Sequence, residues 1–569
     1  MITVNDHQTE WLFDPWGHLG LKRRKLLEKS WSGVFRQYLL EKIPVNKVAR
    51  HFNKVMGRPS KELYTAVGVL MLQQFHDLSD PEVSTALAFN EQWHYALDIS
   101  DESDASKYIS ERTIRTYRRI LIKEGLDQVL FETLTDTLIK AFGVDTSKQR
   151  LDSTLILSNM RKLGRIRIFA TTIRKFLKKL KRKHPDLFDT LLESDFTDRY
   201  LGKESDGCFS RVKPSEASRT LDELAYDLVH LVELFSSYDM VSSLSEYKLL
   251  ERVLGEQCRI TGSGVDTKVE VKQSKEISPD SLQNPSDPDA GYDSYKGQGY
   301  QVQIMETYQT ENHDKKKPNL ITYVAVEPAC EHDANALQPA IDTVLKRECC
   351  PEELTCDTLY GGDDNVQEAA AKGVEVVAPL AGYAPSGDIN LSNFTVDEIT
   401  HFVTRCPEGH TPDTVCRTRT NRIQTRFNKT ICCACPRLEN CPVQLGKKAS
   451  YLRYNDKTLR LNRRRAYEQT REFKDKYRWR AGIEGTNSHL KSDFRAERLR
   501  VRGMDSVRFA VILKVVGLNI MRCVKALCTT LHHDFTQIYI LKNSTVTWIH
   551  KLYAVFHILL SKNMYSCKF

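Results

Sequence analysis

At 569 residues, with 41% hydrophobic and 28% charged side chains, the chain has the make-up of ordinary globular domains and is too long for one core. The net charge of +9 suits a polyanionic partner. No apolar run reaches the roughly 18 residues that would cross a membrane, and fifteen cysteines behind a polar start at Met1 point to reduced thiols in the cytoplasm, some of them metal-bound, rather than a disulfide framework.

Residues 1–140 read as helical. Glu62–Phe75 has the apolar density of a buried helix, and Leu78-Ser79-Asp80-Pro81 supplies an N-cap followed by a proline suited to a first helical turn. Ser110–Leu121 opens on a capping serine and carries Arg112, Arg115, Arg118 and Arg119. Such a basic face either contacts phosphates or is the solvated side of a bundle. Arg150–Leu157 then reads as a strand. Asp152 lies inside it, and a carboxylate there is costly unless it is paired or holds a metal. The competing Asp145 sits between Gly143 and Thr146, in a turn.

A helical insertion is expected over about 160–275. It opens with Arg161–Lys183, which contains no acidic residue and offers Lys178 and Lys179 as contacts to a DNA backbone. Gln273–Asp293 is turn-rich. Gly299–Thr307 and Leu320–Glu327 are strands, and Asp333 is expected to cap the helix that runs to Leu345, the alternative being that His332 and Asp333 support the groups of a site from behind. Leu354–Gly362 reads as a strand and loop with Asp357 at the strand's mouth, followed by a helix, Asn365–Lys372, and a strand, Val374–Pro379. Sites in open α/β sheets form beyond such strand ends. Asp363 and Asp364 are rivals, but they lie where a helix wants a cap.

The next feature is a cysteine cluster. Cys432 and Cys435 make a C-x-x-C knuckle, and Cys406 and Cys441 would complete a four-thiolate structural zinc site, with Cys416, Cys433 and His410 as spares. Reduced thiols or an iron–sulfur site are the alternatives. A helix is then expected from Asn462 to Phe494. On its wheel Tyr477, Arg480, Glu484 and Lys491 share one sector, while Trp479, Ile483 and Leu490 face a core. Gly482 and Gly485 beside Glu484 suggest a close approach by another backbone. An apolar helix, Val507–Met521, and a helical tail over 526–569, including Trp548–Leu560, complete the chain.

The pattern Tyr477-(2)-Arg480-(3)-Glu484-(6)-Lys491 resembles the signature of the DDE transposases of bacterial insertion sequences. The segments around Asp152 and Asp357 look like that family's two aspartate motifs. Gly57-Arg58-Pro59, Asp287-Pro288-Asp289-Ala290 and Lys296-Gly297 also resemble it, and one branch has similar cysteine-rich inserts. The resemblance implies an α/β architecture: an RNase H-like mixed-sheet catalytic domain over 145–525, with the helical insertion and a cysteine-rich insertion over about 400–445. Before it would stand a helical N-terminal domain for DNA binding or dimerisation. It further implies that Asp152, Asp357 and Glu484 hold Mg²⁺ or Mn²⁺, and that Arg480 and Lys491 contact phosphates; Tyr477 or Trp479 would stack on a displaced base, Trp479 lying nearer the core stripe. The partners would be double-stranded DNA, as terminal inverted repeats and target, and a second copy of the chain. A non-catalytic DNA-binding derivative, or a metal-dependent nuclease that does not join strands, is the alternative function.

Overall fold

Lys148–Leu157 forms strand β1, in which every second residue from Arg150 points to one face of the sheet. The computed structural model describes residues 2–7, 14–202, 209, 212–261, 268–310, 317–382 and 389–528. The chain divides into two units, one from Met1–Asp145, Tyr308–Ile321 and Ile512–Phe569, the other from Thr146–Thr307 and Thr322–Val511. Most of the tail expected over 526–569, including Trp548–Leu560, lies outside the described residues.

The first unit is helical, as expected. Leu63–Phe75 is almost wholly buried, and Asp80–Phe89 starts with a capping box between Ser79 and Glu82 and a proline in its first turn. In the helix Glu111–Lys123 the basic face is partly committed internally. Arg118 is held by Asp80 and by Gln73 (2.8 Å), and Arg115 pairs with Glu111 and Asp80. Arg112 and Arg119 stay exposed.

The second unit is built on a mixed sheet. After β1 come a two-stranded hairpin, β2 (Cys258–Thr261) with β3 (Lys268–Val271), and then β4 (Gly291–Asp293), β5 (Gly297–Thr307), β6 (Ile321–Pro328), β7 (Glu353–Cys356) and β8 (Glu375–Val377). The main sheet has the order β4-β5-β1-β7-β8, with β6 also paired to β5. β5 runs antiparallel to β1 and β4, whereas β7 and β8 run parallel to β1 and to each other. The Asp287-Pro288-Asp289 turn is structural: Asp287 accepts from Ser158 and Tyr300 (both 2.6 Å) and from the Gly503 amide (2.9 Å).

Two segments of the second unit carry hydrophobic clusters of their own. Helices Arg165–Lys183, Ala217–Phe235 and Ser245–Gln257 pack around Phe169, Phe176, Leu228, Phe235 and Tyr247. The basic run therefore has one buried face; Lys178 is exposed, while Lys179 is paired with Glu246 at 3.1 Å. The cysteine-rich segment folds as a small antiparallel sheet of Thr414–Arg417, Ile423–Phe427, Ser450–Tyr454 and Gln444–Leu445, with Phe394, Phe427 and Leu452 beneath it.

The single helix expected over Asn462–Phe494 is instead broken. Asp456–Glu468 and Arg471–Tyr477 are separate α-helices, Arg478–Ala481 is a 3₁₀ turn, and Gly482–Ser492 is a third α-helix. Tyr477, Arg480 and Glu484 thus lie on three successive elements rather than along one wheel. Ile483 and Leu490 are buried as expected, and Trp479 is half-buried. Much of the basic run Arg460–Arg465 is structural: Arg460 pairs with Asp363, Arg463 with Glu398, and Arg464 donates to the Gly361 and Ala378 carbonyls.

Candidate active site

Asp152 lies in the middle of β1, and Leu151 pairs in register with Cys356, the last residue of β7. One step further along these parallel strands, Asp152 stands beside Asp357, which leaves the sheet as the cap of a 3₁₀ turn and accepts from the Thr358 amide at 2.7 Å. Asp152 is 9% exposed. Burial pushes its carboxyl above the ordinary range, Arg480 opposes that, and the nearby charges of Asp357 and Asp333 add to it. Two neighbouring carboxylates in a desolvated place need positive charge.

Arg480 supplies it. One terminal nitrogen donates to Asp152 Oδ2 and the other to Glu484 Oε1, each at 3.2 Å. Burial alone would lower the pKa of this guanidinium, but Asp152, Asp357, Tyr477 and Glu484 together raise it. Asn487 Nδ2 also reaches Asp152, at 3.4 Å. Among the described residues Arg480 Nε and Asn487 Oδ1 are buried without a hydrogen-bond partner, so the polar groups around Asp152 are incompletely satisfied. Glu484 is exposed. Lys491, half-buried, makes no ion pair among the described residues. Tyr477 stacks on Phe473 with centroids 5.5 Å apart.

The donor set is carboxylate oxygen, the kind that Mg²⁺ and Mn²⁺ prefer. Among the described residues no three His, Cys, Asp or Glu side chains are gathered closely enough to hold an ion as they stand. In this structure the cation among Asp152, Asp357 and Glu484 is the Arg480 guanidinium. The side chains fit a hard divalent ion in charge and donor type, with Arg480 as its stand-in.

Two charged residues at the site were not singled out by sequence. Arg150 and Glu306 face each other across β1 and β5, and Glu306 is fully buried. The rule that flags Asp152, a charge inside an apolar strand, applies equally to Glu306. Asp333, expected as a helix cap, is not the cap: His332 Nδ1 accepts from the Ala334 amide instead. Asp333 is buried, 3.3 Å from Lys296 Nζ and 3.2 Å from Gln303 Nε2, and Lys296 also reaches Ser153 (3.2 Å), the residue after Asp152. Its partners come from β5 and the turn before it, so only the assembled sheet reveals them.

Cys406, Cys432, Cys435 and Cys441 lie near one another, although among the described residues no three of their thiols stand close enough to hold an ion. Burial raises the Cys432 and Cys441 thiols, and the neighbouring Cys406, Cys432 and Cys435 sulfurs raise them further. All four line one cavity of about 40 Å³. Cys416 and Cys433 are exposed.

Residues 405–524 match the family model of a transposase DDE domain. The match takes in the cysteine cluster and Tyr477–Lys491, and begins after Asp152 and Asp357. No curated protein matches the chain. Among solved structures, the cryo-EM structure of a piggyBac transposase synaptic complex with hairpin DNA is similar over 92% of this chain and 76% of that one, at 7% identity and a TM-score of 0.28. That likeness is too weak to establish a shared fold.

Proposed function

We propose that the chain is a DDE transposase of a bacterial insertion sequence, working in the cytoplasm, that cuts its element's ends and joins them to target DNA. The observation that carries this reading is the convergence of Asp152, Asp357 and Glu484, from two parallel strands and a separate helix, on the one guanidinium of Arg480. The transposase model matched by residues 405–524 supports it independently. The mixed sheet, with β5 antiparallel to β1 and β7 parallel to it, supports the RNase H-like reading.

In this reading Asp152, Asp357 and Glu484 hold Mg²⁺ or Mn²⁺, which when bound activates the attacking oxygen and stabilises the leaving oxygen of a phosphodiester. The chain's own groups do the rest. Arg480 and Lys491 bind phosphates of the scissile strand and fix its register. Tyr477, backed on one face by Phe473, offers its other face to a displaced base. Arg112, Arg115, Lys178 and Lys179 add phosphate contacts, with Arg115 and Lys179 exchanging their carboxylate partners for DNA. The four cysteines hold a structural zinc ion. Joining two ends to one target calls for two copies of the chain.

The test is incubation of the full chain with Mg²⁺ and labelled DNA bearing the sequences that flank its own gene. The expected result is strand cleavage followed by joining. Cleavage alone would make it a nuclease, and binding alone would make it a non-catalytic derivative.

A further inference from the structure

We infer that the buried Arg150–Glu306 pair is the positioning device of this site, setting where Arg480 and Glu484 stand relative to Asp152. The inference rests on the metal-binding reading of Asp152, Asp357 and Glu484. Arg150 lies two residues before Asp152 on the same face of β1, and it stands opposite Glu306 in the antiparallel register. Glu306 Oε1 accepts from Arg150 Nε (2.7 Å) and Nη2 (2.6 Å), and its Oε2 accepts from Thr486 Oγ1 at 2.6 Å. The remaining Arg150 nitrogen, Nη1, donates to the Trp479 carbonyl at 2.7 Å.

These bonds grip the active segment at both ends. Trp479 is the residue before Arg480, and Thr486 is two residues after Glu484. Gly482 lies between them, and a Cβ there would come within 2.0 Å of Arg150 Nη1. The break in the helix falls where the clamp is attached, since the Trp479 carbonyl is turned to a side chain of β1.

Stability alone does not call for such a pair. A well-packed apolar pair of similar volume is often as stable as a buried ion pair. What apolar side chains cannot do is catch a peptide carbonyl with one end and a threonine hydroxyl with the other. Groups that hold ligand-bearing segments in this way typically govern metal affinity by about 10–100-fold.

The experiment is Mn²⁺ titration of the full chain by calorimetry, alongside thermal unfolding and DNA binding. Glu306→Gln keeps the size of the side chain but removes the charge that orients Arg150. We expect Mn²⁺ affinity to fall by about 10–100-fold and DNA affinity to fall with it as Arg480 shifts, in a variant that unfolds at a lower temperature because the Arg150 charge is left buried without its partner. Thr486→Val, which leaves the ion pair intact and releases only the helix, is expected to weaken Mn²⁺ binding in the same direction with the unfolding temperature nearly unchanged, and serves if Glu306→Gln does not fold. Unchanged Mn²⁺ affinity in a folded variant would overturn the inference. Asp152→Asn separates the two levels of the argument: if it leaves Mn²⁺ binding intact, the metal-site reading itself fails, whatever the clamp variants do.

Discussion

The Arg480 guanidinium donates to Asp152 at 3.2 Å and, through its other arm, to Glu484 at the same distance. One side chain thus neutralises the carboxylates that the proposed chemistry needs for metal, and it is also the proposed clamp for a DNA phosphate. It cannot do all of this at once. Removing it should uncover the carboxylates. Arg480→Ala is expected to bind Mn²⁺ more tightly than the unaltered chain in the absence of DNA. DNA binding should weaken, with a log–log salt slope shallower by about 1. Calorimetry and fluorescence anisotropy over a salt series measure the two effects. A fall in metal affinity would make Arg480 a support rather than a stand-in.

The two glycines beside Glu484 should behave in opposite ways. Gly482 faces a guanidinium pinned by Glu306 and the Trp479 carbonyl, so an added methyl has nowhere to go. Gly485 has open space around its missing Cβ and sits inside a helix. Thermal unfolding should show Gly482→Ala to be destabilising and Gly485→Ala stabilising by about 0.5–1 kcal/mol.

Four cysteines lining one small cavity make a zinc prediction that is independent of catalysis. Elemental analysis of the purified chain should find about one zinc per molecule, as a closed four-thiolate site requires. Cys435→Ser should lose it. Cys416→Ser and Cys433→Ser, changed at exposed positions, should keep it.

His94 gives the first unit a pH dependence. Its ring is buried, with Nε2 2.6 Å from the Leu87 carbonyl, and burial holds its pKa below the ordinary histidine value. The folded form resists a proton that the unfolded chain accepts. Stability is therefore full above the ordinary histidine pKa and is lost as pH falls below it, by at most about 1.4 kcal/mol per pH unit. Unfolding temperatures measured roughly one pH unit above and one below that pKa should differ, and His94→Gln should reduce the difference.

Much of this site is legible in the chain because its elements are local. Alternation marks β5, and apolar β-formers mark β1. A carboxylate inside such a run is conspicuous, and the four-residue spacing of Arg480 and Glu484 does bring them together. What escapes a linear reading depends on partners far away in sequence. The break at Arg478–Ala481 carries no proline; it goes with the capture of the Trp479 carbonyl by Arg150 from the first strand. Gly482 signals a close approach, yet what approaches is a side chain, and Gly485 has no such neighbour. Arg118 reads as a phosphate contact until the carboxylate it holds is seen.

The most direct test of the central claim is strand cleavage of labelled end DNA by Glu484→Gln, read beside the unaltered chain in Mg²⁺. Glu484 is exposed and supports no core, so this variant should fold normally and still bind DNA. The account predicts that cleavage and joining are both abolished. Cleavage at the unaltered rate would contradict it.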